Sequence, residues 1–284
     1  MGKLDGKIAI VTGASRGIGM AIAEVFASEG ATVVCAARKL QESTPSAWDG
    51  SLERTVGHIK VKGGRAVAVQ TDVTKYEDCK HLIDETVRQF GRVDILVNNA
   101  GVYVRRMVAD YTPEQLLNEE GVNINGTVWL CQLAAKAMIP HKSGAIVNIS
   151  SPLAAGPGRG PYNNAGIGFT VYGATKGFVE RFTQGFAQEV FQHGISVTAL
   201  STGLTVYTPG YEAAHRAYRQ PNAPQQGGEP AENMGQAALQ LATLPQDKYS
   251  GRVVYSIAFL HELGLLPEAK GYGADRPSSG YSKI

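Results

Sequence analysis

The sequence is poor in the residues that mark several protein classes. Its 284 residues include only three cysteines, Cys35, Cys79 and Cys131, an odd number, widely spaced and without a CxxC pair. That excludes a disulfide framework and a thiolate metal site, and reads as buried thiols in a reducing compartment. The six histidines never stand three or four positions apart, so no metal is expected. Apolar runs of about 18 residues, the length that crosses a bilayer, are absent. The N-terminus lacks the charged start and apolar stretch of a signal peptide. These absences predict a cytoplasmic protein with no membrane partner. Charge is sparse as well, 18% of residues with a net of +2, and no run of lysine and arginine exceeds two. A nucleic-acid partner, which needs a basic stripe, is therefore not expected.

What is present is glycine, 34 residues clustered at a few turns, and a regular alternation of apolar runs. Strand-length runs fall at Lys7–Val11, Thr32–Ala36, Arg65–Gln70, Val93–Val97, Ala145–Ile149, Ile195–Leu200 and Arg252–Ser256. Between them, helical spacing covers Ile18–Ser28 and about 51–62, 75–90, 113–139, 168–193 and 229–244. Continuous apolar strands imply a sheet covered on both faces. Repeated strand–helix alternation implies right-handed crossovers. The predicted fold is α/β, a doubly wound Rossmann-type parallel sheet of about seven strands, as a single domain over 1–266 with a tail at 267–284. Three stretches interrupt the rhythm: 40–50, and the candidate substrate loops 152–168 and 202–228.

The first strand runs into Thr12-Gly13-Ala14-Ser15-Arg16-Gly17-Ile18-Gly19. Glycines in a strand-to-helix turn let backbone approach a pyrophosphate, which the helix N-terminus then favours. Gly13, Ser15, Arg16, Gly17, Ile18 and Gly19 are the candidate contacts. An NAD site needs a carboxylate at the end of the second strand to accept the ribose hydroxyls. Here that strand ends in Arg38 and Lys39, two cations suited to a 2′-phosphate, with Arg16 as a third. The expected cofactor is NADP(H).

Tyr172 and Lys176 stand at i and i+4, on one helix face. A phenol, with pKa near 10, is a poor base at neutral pH. A cation about 5 Å away favours its phenolate by roughly 3 kcal/mol at an effective dielectric near 20. The pair can thus exchange a proton with an alcohol or a forming alkoxide. Tyr76 and Lys80 share the spacing but lie on a polar helix, and Tyr162 has glycine at i+4. A serine, Ser150 or Ser151, ends the fifth strand, the sheet edge where ligands bind. Its hydroxyl can hydrogen-bond a substrate oxygen.

The TGxxxGxG turn, Asn98-Asn99-Ala100-Gly101, Val-Asn-Ile-Ser-Ser ending at Ser151, and Tyr172-x-x-x-Lys176 occur in the order and placement of the short-chain dehydrogenase/reductase family, which residues 5–262 resemble. The resemblance implies that Asp72 and Val73 contact the adenine end and that Asn99, Ala100 and Gly101 shape the cofactor floor. It assigns the serine role to Ser151, and to Asn123 the holding of a water that links the lysine to solvent; Asn125 is the competitor. It further implies that Lys176 anchors the nicotinamide ribose and that Gly203 and Thr205 touch the carboxamide side. The implied catalytic set is Asn123, Ser151, Tyr172 and Lys176, moving a hydride between NADP(H) and a ketone or secondary alcohol, as in a carbonyl reductase or alcohol dehydrogenase. Two departures stand out. Ser151 and Tyr172 lie 21 positions apart, several more than is usual, and Thr202 replaces the proline that normally precedes Gly203.

Leu153, Tyr162, Leu204, Val206, Tyr207, Tyr211 and Tyr218 suggest a bulky, uncharged carbonyl or alcohol substrate, with Arg159 the candidate for a charged one. A catalytically silent NADP(H)-binding sensor or scaffold is the alternative. Homodimers or homotetramers through the long helices are implied by the family, and Gly126, Ala134, Ala135 and Ala137 suit either such packing or an internal helix face.

Overall fold

In the computed structural model, which describes residues 2–41, 50–156, 167–208, 211 and 228–268, seven parallel strands form one sheet. They are β1 (Ile8–Thr12), β2 (Thr32–Ala37), β3 (Arg65–Gln70), β4 (Ile95–Asn98), β5 (Gly144–Ile149), β6 (Ile195–Ser201) and, numbered after a small pair described below, β9 (Val253–Tyr255). Their order is β3-β2-β1-β4-β5-β6-β9. The chain therefore winds outward one way from β1 to β3 and the other way from β4 to β9. A crevice opens at the carboxyl ends of β1 and β4, where the direction reverses.

Every residue of β1, β4 and β6 is buried, which explains why these strands read as unbroken apolar runs. One face carries α1 (Gly17–Ser28), α2 (Leu52–Val61) and α7 (Ala231–Thr243), with Phe26, Ile59 and Met234 in its core. The other carries α3 (Tyr76–Phe90), α5 (Gly126–Met138) and α6 (Thr170–Val190), with Leu82, Leu130 and Val190 inside. No helix among the described residues is long and apolar enough to cross a membrane.

The predicted helix over 113–139 is helical throughout, with α4 (Pro113–Glu120) and α5 joined without a break by a wide π turn over Gly121–Asn125. Such turns leave hydrophobic spacing almost unchanged, so periodicity does not reveal them. The strand predicted from Val93 starts at Ile95, because the Asp94 carboxylate accepts a hydrogen bond from the Ile8 amide at 2.9 Å. Residues 228–229 are not helical. Gly228–Glu229 (β8) pairs in parallel with Thr205–Val206 (β7). A further helix, α8 (Ser256–Glu262), follows β9. Gly126, Ala134, Ala135 and Ala137 pack inward: a Cβ at Gly126 would meet the Val73 carbonyl at 2.8 Å, and the alanines sit in or against the α3–α5 core.

All three cysteines are free and buried, and burial pushes each thiol up to about 12. Since the thiolate is the reactive form, a disulfide-exchange reagent at pH 8 is expected to titrate none in the folded protein and three after denaturation. Rapid labelling of the native protein would contradict this burial.

Candidate active site

The crevice is a cleft of about 1260 Å³ running from the end of β2, past the glycine turn, to the start of α6. Gly17 opens α1 with φ +57, a left-handed value that disfavours a side chain. At Gly19 a Cβ would lie 2.4 Å from the Gly13 carbonyl oxygen and the Asn99 amide nitrogen. The turn is braced from β4. The Thr12 hydroxyl accepts from the Asn99 and Ala100 amides, both at 3.0 Å, and Asn99 Nδ2 donates to the Thr12 carbonyl at 2.8 Å. Thr12, the first residue of the TGxxxGxG turn, is not among the candidate contacts, and its role is this brace.

Arg16, Arg38 and Lys39 all line the β2 end of the cleft. The Arg16 guanidinium is held below its usual range by burial and then by the charge of Arg38. Two like charges meeting in a half-buried corner favour an anion between them. Close by, the bonds Leu52 N to Lys39 O and Glu53 N to Leu40 O, each 3.1 Å, fasten the two ends of the 40–50 stretch. Asp72 and Val73 face the same cleft, although Asp72 Oδ1 also accepts from the Thr74 amide at 3.1 Å and hydroxyl at 2.8 Å. The Asp72 carboxylate thus closes a local turn at the cleft wall.

At the other end stand Ser151, Tyr172 and Lys176. Gly173 lets α6 press on the turn Pro152–Ala155, where a Cβ would meet the Leu153 carbonyl at 2.7 Å. That contact seats the Pro152–Ala155 turn against the start of α6, so that the Ser151 hydroxyl acts on the Tyr172 phenol across the long sequence between them. The Lys176 ammonium, 5% exposed, donates to the Ile149 carbonyl at 2.8 Å and lies 5.8 Å from the Tyr172 ring centroid.

The expectation that the ammonium brings the phenol toward neutral pH needs correction. Burial dominates, pushing Tyr172 up to about 12, with the Ser151 hydrogen bond opposing and the Glu119 charge adding. Burial likewise brings Lys176 down to about 8, against the charge of Glu180. The ammonium sits by the ring and the Ile149 carbonyl, so desolvation outweighs its pull. Tyr172 is thus a protonated phenol at neutral pH, poised as an acid.

Ser150 donates to Glu180 at 2.7 Å, which commits its proton and leaves Ser151 as the serine joined to Tyr172. Asn123 does not line the cleft. It is fully buried in the π turn, bonded to the Val102 amide (3.0 Å), the Val102 carbonyl (2.9 Å) and the Thr175 hydroxyl (3.0 Å). The structure gives it a bracing role there. Tyr76 packs edge-on against Trp129 and Lys80 pairs with Asp84, so that second Tyr–Lys spacing belongs to the surface.

An aromatic wall was missed altogether. Tyr103 lies 5.5 Å from Tyr172 and 5.7 Å from Phe169, ring centroid to centroid, and all three line the cleft. It is presented by pins on both sides: Asn123 on Val102, then Glu119 and the Tyr111 hydroxyl on Val104. Glu119 is fully buried, and that burial holds its carboxyl above the ordinary range. Gly203, Leu204, Thr205, Val206 and Tyr211 close the cleft opposite; Tyr207 does not line it. Arg159, Tyr162 and Tyr218 lie outside the described residues. Among those residues, no group of three or more potential metal ligands occurs.

The sequence profile of a family described as short chain dehydrogenase matches residues 7–218. The chain is 31% identical over 208 residues to 1,6-dihydroxycyclohexa-2,4-diene-1-carboxylate dehydrogenase of Acinetobacter baylyi, covering 73% of this chain and 72% of the relative. A solved Burkholderia xenovorans structure described as a short-chain dehydrogenase/reductase superposes with a TM-score of 0.76 at 27% identity, over 90% of this chain and 96% of that one. A metagenomic short-chain oxidoreductase in complex with NADP gives 0.70 at 27% identity, over 89% and 97%.

Proposed function

The chain belongs to the short-chain dehydrogenase/reductase family of oxidoreductases, and from that premise we propose that it interconverts a bulky, uncharged ketone and its secondary alcohol using NADP(H). The observation that carries this reading is the Ser151–Tyr172–Lys176 group facing the same cleft as the glycine turn. The residues fit the cofactor: a Gly19 cradle that a Cβ would fill, and a repelling Arg16–Arg38 corner suited to a 2′-phosphate. Gly13 to Gly19 would hold the pyrophosphate, and Arg16, Arg38 and Lys39 the 2′-phosphate. Asp72 and Val73 would flank the adenine, with Asn99, Ala100 and Gly101 as the floor. Gly203 and Thr205 would meet the carboxamide, and Lys176 the ribose.

When bound, the cofactor supplies or accepts the hydride. Ser151 hydrogen-bonds the substrate oxygen and steadies the charge that gathers on it. The Tyr172 phenol gives that oxygen its proton in reduction, a direction matched to its protonated resting state. Lys176 places positive charge beneath the ring. Tyr103, Phe169, Leu153 and Leu204 form an apolar and aromatic surround for the remainder of the substrate.

The test is the absorbance of reduced nicotinamide against a panel of ketones and alcohols, run with both cofactors. Aryl or cyclic ketones with NADPH are expected to turn over best. Equal turnover of small carboxylated substrates, or a preference for NADH, would refute the reading in its respective part. A pH effect also follows. Lys176 carries its proton below about 8, so the reduction rate should be level below that pH and fall as pH rises through it. Lys176→Arg, which stays charged, should move the falling limb to higher pH; an unmoved limb would assign it to another group.

Assembly as a homodimer or homotetramer belongs to the same proposal. It is supported by a ladder of stacked rings along α6, Phe178 to Phe182 at 6.0 Å and Phe182 to Phe186 at 5.4 Å, with Phe178 40% exposed.

A further inference from the structure

The loop at Gly203–Thr205 has an unusual support. Glu229, on β8, is 4% exposed, yet nothing in the chemistry above uses it. Its Oε1 accepts hydrogen bonds from the Gly203 amide at 2.7 Å and the Leu204 amide at 3.1 Å. The Ser256 hydroxyl, at the first residue of α8, lies 2.8 Å from both carboxylate oxygens. That hydroxyl oxygen also lies 2.9 Å from the Gly203 amide. A carboxylate only accepts hydrogen bonds, and here every group around it donates. One buried side chain therefore joins three segments: the loop after β6, the strand β8 and the start of α8. Backbone pairing of Val206 with Glu229 sets the register that lets the side chain reach back to Gly203.

With threonine at 202, no proline ring fixes φ on the approach to this loop. Its position depends on hydrogen bonds, and two successive amides turn inward onto Glu229 instead of pairing in the main sheet. We infer that Glu229 is a positioning residue for cofactor binding, holding the Gly203–Thr205 backbone at the height where it meets the nicotinamide half. The inference rests on the cofactor reading above, which assigns that half of the cleft to nicotinamide. The adenine half, built on β1 and β2, has no bond to Glu229 and should be indifferent to it.

The experiment separates the two halves. NADPH binding to the full-length protein is measured by fluorescence titration, and binding of 2′,5′-ADP, which occupies the adenine half alone, by competition or calorimetry. Glu229→Ala takes the carboxylate acceptor from the Gly203 and Leu204 amides together, so NADPH affinity should fall about ten- to a hundredfold. Affinity for 2′,5′-ADP should stay within about twofold. Glu229→Gln keeps an acceptor oxygen for the two amides and should restore most of the NADPH affinity. Unchanged NADPH binding by E229A, equal loss of both ligands, or failure of E229Q to rescue would overturn the inference. Should E229A not fold, Ser256→Ala applies the same comparison, with a roughly two- to tenfold loss expected for NADPH only; no loss overturns it. Wild-type protein that binds neither ligand would instead sink the cofactor assignment itself.

Discussion

Tyr172→Phe is expected to lower kcat by about a thousandfold or more while NADPH binds within about twofold of wild type, because positioned acid–base groups contribute about 10²–10⁴ in rate. Phenylalanine keeps the ring that packs 5.5 Å from Tyr103 and removes only the hydroxyl bonded to Ser151. Folding and the cofactor end of the cleft should be untouched, so the loss should fall on kcat and not on the cofactor's Kd. Single-turnover mixing of enzyme, NADPH and ketone makes the distinction. A variant that reduces ketone at the wild-type rate would remove Tyr172 from the chemistry. One that no longer binds NADPH would make the residue structural.

The second large effect is at the far end of the cleft. Arg38 is placed by a bond from Gln70 Nε2 to its own carbonyl at 2.8 Å, and its charge reaches Arg16. Charge-assisted bonds to a phosphate are roughly twice as strong as neutral ones. Arg38→Ala should therefore weaken NADPH binding about ten- to a hundredfold, with a change of less than about threefold for NADH, which has no 2′-phosphate. Arg38→Asp supplies the carboxylate that accepts ribose hydroxyls and should invert the preference. Ratios of kcat/KM for the two cofactors, measured at fixed ionic strength, give the answer. Equal losses for both would mean the arginine corner does not read the 2′-phosphate.

The parts of the molecule legible in the sequence share a property: their signal is local. Buried parallel strands announce themselves as apolar runs, the turn at 13–19 by glycine spacing, and Tyr172 with Lys176 by a single helical turn. What escaped depends on residues far apart in the chain. Glu119 reads as one more polar residue on an amphipathic helix, yet it is fully buried because the neighbouring loop turns Val104 and Tyr111 onto it. Tyr103 follows a glycine motif and looks like ordinary loop; only the pins on Val102 and Val104 make it a wall. The π turn escaped because one wide turn barely disturbs a hydrophobic stripe. The protonation of Tyr172 went the other way from the pairwise argument, since Coulomb attraction can be estimated from spacing and desolvation cannot.

The bonds from Leu52 and Glu53 to Lys39 and Leu40, together with the short β7–β8 ribbon, stitch shut the roots of the 40–50 and 202–228 stretches. Lengthening a stretch whose roots are fixed is thermodynamically mild, about 0.6 kcal/mol for each doubling. Exchange of either stretch with its root bonds kept is therefore expected to leave the sheet and α6 in place. The Tyr–Lys helix between them need not be rebuilt either time. Diversification by graft, with α6 inherited whole, follows from where the stitches lie.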